Sequence, residues 1–238
     1  MIGRYGTPFV VAHKVGLGAV VFLLGRLAVA AVHETAHGVV MASFGRRVRE
    51  AGVKLVLIFP YVYVDTSDAW FEPRRRRIAI TAAGPASDLC LGGAFALCCL
   101  AAGPGALRDV VFQLASGAYV GAFFNLNPLV QRDGYHILVD ALREPGLRRR
   151  ASAQLRSRIT RGPRAADSPV LNRYALLCVM WSALGASVAV ALSLRYEAAL
   201  ARVVPAPVVW SAMSLLWLAL FVPVFALVGA PLLQRLRR

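Results

Sequence analysis

Acidic residues are scarce in this chain: 12 Asp and Glu stand against 27 Lys and Arg, for a formal net charge of +15. Lysine is almost missing as well, Lys14 and Lys54 being the only two, so arginine carries nearly all the positive charge. Such an excess invites a nucleic-acid reading, yet no recognition motif accompanies the arginines, and nucleic acid is set aside as a partner. Cysteine is sparse too. Cys90, Cys98, Cys99 and Cys178 lie in apolar runs and lack the CxxC spacing of a zinc site, which argues against a disulfide framework. The first 20 residues, MIGRYGTPFVVAHKVGLGAV, lack the basic, apolar and small-residue tripartition of a cleaved signal peptide, so they are read as mature chain. No internal repeat and no soluble domain of useful size is visible.

What the chain has is apolar length. Hydrophobic residues make up 58% of it, against about 45–50% in a soluble domain. Five runs are long and apolar enough to cross a bilayer, at roughly 15–44, 77–102, 109–131, 171–194 and 206–233. Most of the arginines gather in the segments 45–76 and 132–173 and in the tail after 233, which five spans place on one face. The positive-inside rule makes that face cytoplasmic, with the N-terminus out and the C-terminus in. The expected fold is an all-α polytopic membrane protein of about five transmembrane helices. Arginine-for-lysine usage and abundant alanine point to a GC-rich bacterial genome, hence a bacterial plasma membrane.

Between the first two runs stands VKLVLIFPYVYV, residues 53–64, too short to span and rich in β-branched and aromatic residues. It reads as a short β-hairpin, either dipping into the membrane beside a cavity or lying at the headgroup level. The second run carries Gly84-Pro85, expected to kink it, and an intramembrane Asp88. Residues 141–170 read as a basic cytoplasmic amphipathic segment on anionic lipid, and 171–238 as two additional transmembrane helices and a basic tail.

The chemistry lies in VAAVHETAHGVVMASF, residues 29–44. His33 and His37 are four apart, so on a helix their rings share one face and both reach one Zn²⁺, with Glu34 placed to act on a water there. Polar side chains are costly in an apolar span, about 2.5–3.5 kcal/mol for each charged one. A catalytic zinc takes three protein ligands. Candidates for the third are Asp88, Asp133, His136 and, more weakly, His13 or Asp65. Asp133 ends the third run at the depth of the histidines, and the helix-breaking NLNP before it leaves room for its carboxylate to turn inward; His13 falls near the outer face. For Asp88 there are two readings: an ion pair with Arg26, or a hydrogen bond to a ligand histidine.

HETAH together with NLNPLVQRDG resembles the site-two protease family of intramembrane zinc metalloproteases, whose signature is HExxH plus Asn-x-x-Pro-x-x-x-x-Asp-Gly. The second motif falls on Asn125, Pro128, Asp133 and Gly134, and Gly84-Pro85 is similar to the pair on the family's middle core helix. YVYVDTSDAW and FNLNPLVQRDGY are similar to a bacterial subgroup of peptide zinc metalloproteases. The resemblance implies a three-helix catalytic core with its hairpin over 1–140. It also implies that His33, His37 and Asp133 bind zinc, that Glu34 is the general base, and that Asn125, Asn127 and Pro128 serve substrate positioning or the transition state. The hairpin would present an edge strand to an extended substrate. The chain departs from the family at Gln131-Arg132-Asp133-Gly134-Tyr135, where Pro-x-Asp-Gly-Gly is usual.

The implied activity is hydrolysis of a peptide bond in a membrane-associated or small peptide near the cytoplasmic face. Removal of a leader from a ribosomally made peptide and regulated proteolysis of a transmembrane signalling protein both fit. A non-catalytic scaffold and a small ion carrier are the rival classes. Against the carrier, the charged groups gather at one depth rather than along a path.

Overall fold

The computed structural model describes residues 15–56, 59–160 and 168–200, with 210, 211, 213, 214 and 217. Contacts divide the chain into two compact units, Met1–Glu144 and Pro145–Arg238. In the first unit α1 (Val15–Ser43) is followed by strands β1 (Ala51–Val56) and β2 (Phe59–Val64) and a 3₁₀ turn (Ser67–Phe71). Then come α2 (Arg74–Ala101), α3 (Ala106–Leu126) and α4 (Asp133–Leu142). The second unit holds α5 (Leu147–Thr160) and α6 (Pro169–Leu200), tied together where Gln154 Nε2 donates to the Ser168 carbonyl and to Asn172 Oδ1.

Helix α1 contains no proline and stops at Gly45, whose φ of +79° suits a residue without a Cβ. Gly45 N–H donates to the Ala42 carbonyl and Arg46 N–H to that of Met41, the paired bonds of a Schellman stop. The β-branched and aromatic stretch forms an antiparallel hairpin in which Ala51 pairs with Val64 and Leu55 with Pro60. β2 packs on α1 at Gly38, where an added Cβ would lie 3.1 Å from the Val64 side chain.

Helices α1, α2 and α3 pack together through small residues, the usual way for apolar helices to bring their backbones close. A Cβ on Gly25 would meet Leu114, one on Gly92 would meet Tyr119, and Ala115, Ala118 and Ala122 are buried. α2 runs through Pro85 without a break in its helix.

Three described helical stretches are long and apolar enough to span a membrane: Val20–Ser43, Arg74–Ala101 and Pro169–Arg195. At most 28% of the 18-residue apolar window in any of them is buried within the protein, and large apolar side chains such as Leu24, Val39, Leu97 and Leu176 face outward. Such surface calls for an apolar surrounding, and it marks the chain as membrane-associated. The expected third span, 109–131, is shorter: α3 ends at Leu126 and carries Arg108, Asp109 and Gln113, which lower its hydropathy. Of the segment 141–170, α5 is the regular part. His13, the tail after 233 and all but five residues of the fifth run fall outside the described residues.

Candidate metal centre

Three helices converge on one point. From α1, His33 and His37 present their rings on one buried face, edge to face with centroids 4.8 Å apart. From the start of α4 comes Asp133. Its Oδ2 lies 3.1 Å from His33 Nε2 and 3.7 Å from His37 Nε2, and the two Nε2 atoms are 3.2 Å apart. Among the described residues, His33, His37 and Asp133 form the group that could hold a metal ion.

The other ring nitrogens decide what these three atoms are. His37 Nδ1 is 2.7 Å from the Ile80 carbonyl, which can only accept, so Nδ1 carries the hydrogen. His33 Nδ1 is 2.9 Å from Asp88 Oδ2, and a carboxylate there makes it a donor as well. When neutral, each imidazole therefore turns a lone pair on Nε2 toward the other and toward a carboxylate oxygen. Three acceptors at 3.1–3.7 Å repel one another, and a cation between them would offset that repulsion. A tetrahedral ion bound at about 2.0–2.1 Å would hold its ligands about 3.3–3.4 Å apart, so the triangle fits zinc with little movement. Burial pushes the Asp133 carboxyl up, yet the hydrogen bonds and positive charge that His33 and His37 would supply on taking up protons at Nε2 outweigh it and hold it at about 2. A divalent cation would supply that charge to all three ligands.

Two glycines make room for this convergence. A Cβ on Gly84 of α2 would lie 2.3 Å from His37 Nε2 and 2.5 Å from His33 Nε2. A Cβ on Gly134 would lie 2.2 Å from the Leu126 carbonyl oxygen and 3.0 Å from that of Asn125, backbone atoms that cannot swing aside. The chain reverses between α3 and α4 at Asn127-Pro128. Asn127 is buried and its Oδ1 accepts the Leu129 N–H at 2.9 Å, while Arg132 is extended and Asp133 opens the helix.

The residues singled out from the sequence thus fall in different places. Glu34, half-buried, follows His33 on α1 and faces the same cleft as His37 and Asp133. Asp88 meets His33, while Arg26 Nη1 donates to the Gly117 carbonyl at 2.8 Å. Asn125 lies behind the ligands: its Nδ2 is 3.4 Å from Asp88 Oδ2 and 3.5 Å from His33 Nδ1, and its Oδ1 accepts from Arg132 at 3.3 Å. Asn127 caps a turn and Pro128 is exposed beside it. His136 is exposed on the cleft wall, outside the ligand group. Asp65 accepts from the backbone and hydroxyl of Ser67 and stays in the loop.

The cleft measures about 350 Å³. Its floor carries Glu34, His37 and Asp133, and its walls come from the hairpin and 3₁₀ turn, from the first turns of α2, and from α4. Sequence reasoning missed the Ile80 carbonyl, a backbone group that no motif marks. It also missed Arg77, whose guanidinium forms a bidentate ion pair with Asp140, with Nε at 3.0 and 3.1 Å from its two oxygens. Nothing among protein-family models, curated proteins or solved structures matches this chain.

Proposed function

We propose that the protein is an intramembrane zinc metalloprotease acting on a membrane-associated or small peptide. The observation that carries this reading is the convergence of His33 Nε2, His37 Nε2 and Asp133 Oδ2 at zinc-ligand spacing, with Glu34 beside them on an open cleft. A structural metal needs neither an adjacent carboxylate nor an open approach; a hydrolytic one needs both.

A zinc ion in this triangle would act as a Lewis acid on water and on the scissile carbonyl. The protein's own groups do the rest. Asp88 and the Ile80 carbonyl hold the histidine rings in the orientation and tautomer that point Nε2 inward. Glu34, facing the cleft, takes the proton of the attacking water and returns it to the departing amine. The cleft brings water to a site otherwise walled by α1 and α2. Within the two-stranded sheet β2 pairs only with β1, so its other edge can take an extended peptide by backbone hydrogen bonds.

The distribution of arginine supports a cleft opening toward the cytoplasm and a bacterial plasma-membrane location, with the N-terminus outside and five spans in all. Peptide maturation fits a chain whose described part adds only helices to the core; a transmembrane signalling substrate fits the same chemistry. The test is Glu34→Gln in the full chain, reconstituted with zinc. Zinc content should stay at the wild-type level while cleavage of a fluorogenic peptide library falls by at least 10³-fold, a base-catalysis loss at the upper end of the usual range. Undiminished cleavage by the variant rules out Glu34 as the base.

A further inference from the structure

The resemblance assigns Asn125 to substrate positioning or the oxyanion, but its side chain is engaged elsewhere. Its amide nitrogen points to Asp88 and His33, its oxygen to Arg132, and it is not part of the cleft wall. Asn125 therefore braces the Asp88–His33 contact from behind. A peptide carbonyl polarised in the cleft still needs a donor aimed at the oxygen where negative charge grows, because such preorganised donors carry much of the rate enhancement in acyl transfer.

Tyr61 meets that need. It projects from β2, the strand that packs on α1, and lines the cleft with Glu34, His37 and Asp133. The ring is half-exposed, at 50%, and its hydroxyl makes no hydrogen bond to another described residue. The phenol lies in the fields of Glu34, Arg132 and Asp133; burial and then Glu34 push its ionisation up, so it stays an O–H donor at neutral pH. The neighbouring tyrosine on the same strand differs: Tyr63 donates to Glu50 and lies under Lys54, away from the site.

We propose that the Tyr61 hydroxyl, rather than the Asn125 amide, donates to the scissile carbonyl oxygen as it becomes an oxyanion, an assignment that rests on the protease reading above. The phenolic O–H keeps its proton throughout; it stabilises charge and takes no part in the proton transfer through Glu34.

The experiment uses the zinc-loaded full chain and two probes: an N-acylated alanine-rich phosphinic pentapeptide, which presents a tetrahedral anion, and the matching amide peptide. Tyr61→Phe removes the hydroxyl alone. Zinc stoichiometry and amide-peptide affinity should be unchanged, while affinity for the phosphinic peptide falls by about 10²-fold and kcat falls with it. Asn125→Ala should instead weaken zinc binding. Phosphinic-peptide affinity within threefold of wild type in Tyr61→Phe overturns the assignment, as does an equal loss for both peptides, which would mark a ground-state contact. If zinc-loaded wild type neither binds the phosphinic peptide nor cleaves a peptide library, the protease reading itself falls, and the role of Tyr61 with it.

Discussion

Arg77, in the first turn of α2, grips Asp140 of α4 through a bidentate ion pair, and Asp140 lies seven residues, two helical turns, beyond Asp133. The pair pins the short helix whose first residue is the proposed third ligand. Both side chains are largely covered, at 27% and 14% exposure, and the fork geometry makes such pairs stronger than most at a surface. Arg77 also donates to the Glu72 carbonyl and lies over the Trp70 ring, so it joins three walls of the cleft.

Breaking this pair should loosen zinc without touching a ligand. Asp140→Asn and Arg77→Gln are each expected to weaken zinc affinity by about 10-fold, the low end for groups that support ligands indirectly. The double variant should be little worse than either single one, because each removes the same interaction. Competitive zinc titration of the four proteins measures the coupling; fully additive losses would show that the pair does not act through α4.

Asp88 is buried, with Oδ2 on His33 and Oδ1 lacking a hydrogen-bond partner among the described residues. Asp88→Asn keeps the volume but lets the amide present either a donor or an acceptor to Nδ1, so the tautomer of His33 is no longer dictated. Zinc affinity should fall by about 10–100-fold, most of it in faster zinc release. Stopped-flow chelation of the bound metal separates the two rates. An unchanged release rate would mean that Ile80 and the helix geometry alone orient the histidines.

HETAH and NLNPLVQRDG were legible because each motif is local: a four-residue step on a helix, and a turn followed by a helix start. Gly134 was legible as part of a motif, though its reason is three-dimensional: a Cβ there would run into the Leu126 carbonyl. The hairpin showed in its β-branched and aromatic content. What sequence could not supply was rotation about the helix axes. Depth alone left Asp88 open to Arg26 or to a histidine; the packing of α1 against α3 turns the arginine onto the Gly117 carbonyl and leaves Asp88 to His33. The same rotation brings the Asn125 amide to Asp88 and His33, and the 63-residue separation of Arg77 and Asp140 hid their contact.

Glu72 yields a pH dependence. Its carboxylate, 3% exposed, accepts from Arg46 Nε at 2.6 Å and from Arg76 Nη1 at 3.0 Å, and these bonds, Arg46 first, hold its carboxyl below the ordinary range. A depressed folded pKa contributes stability that is fully present above the unfolded value, about 4.3, and is lost as pH falls through the folded one. Glu72→Gln should therefore be less stable than wild type at pH 7, and the gap should close on acidification below about pH 4.3. Thermal unfolding in detergent at a series of pH values tests this. A gap that persists undiminished to pH 3 would assign the effect to packing rather than charge.

Gly84 separates helix stability from metal binding. Glycine in a helix interior costs about 1 kcal/mol relative to alanine, and α2 runs unbroken through this position, so propensity alone favours Gly84→Ala. The added methyl, however, would stand 2.3–2.6 Å from His37 Nε2, His33 Nε2 and His33 Cε1. It would displace the imidazoles from the point where their lone pairs meet, and each ring is held on its far side by Ile80 or Asp88. The two effects oppose each other in different observables. Helical content by circular dichroism should be retained, while zinc affinity falls by at least 10²-fold, more than the loss of one orienting contact. Zinc bound at wild-type affinity by Gly84→Ala would place the ion away from the face where α2 meets the two histidines, and with it the chemistry assigned to this cleft.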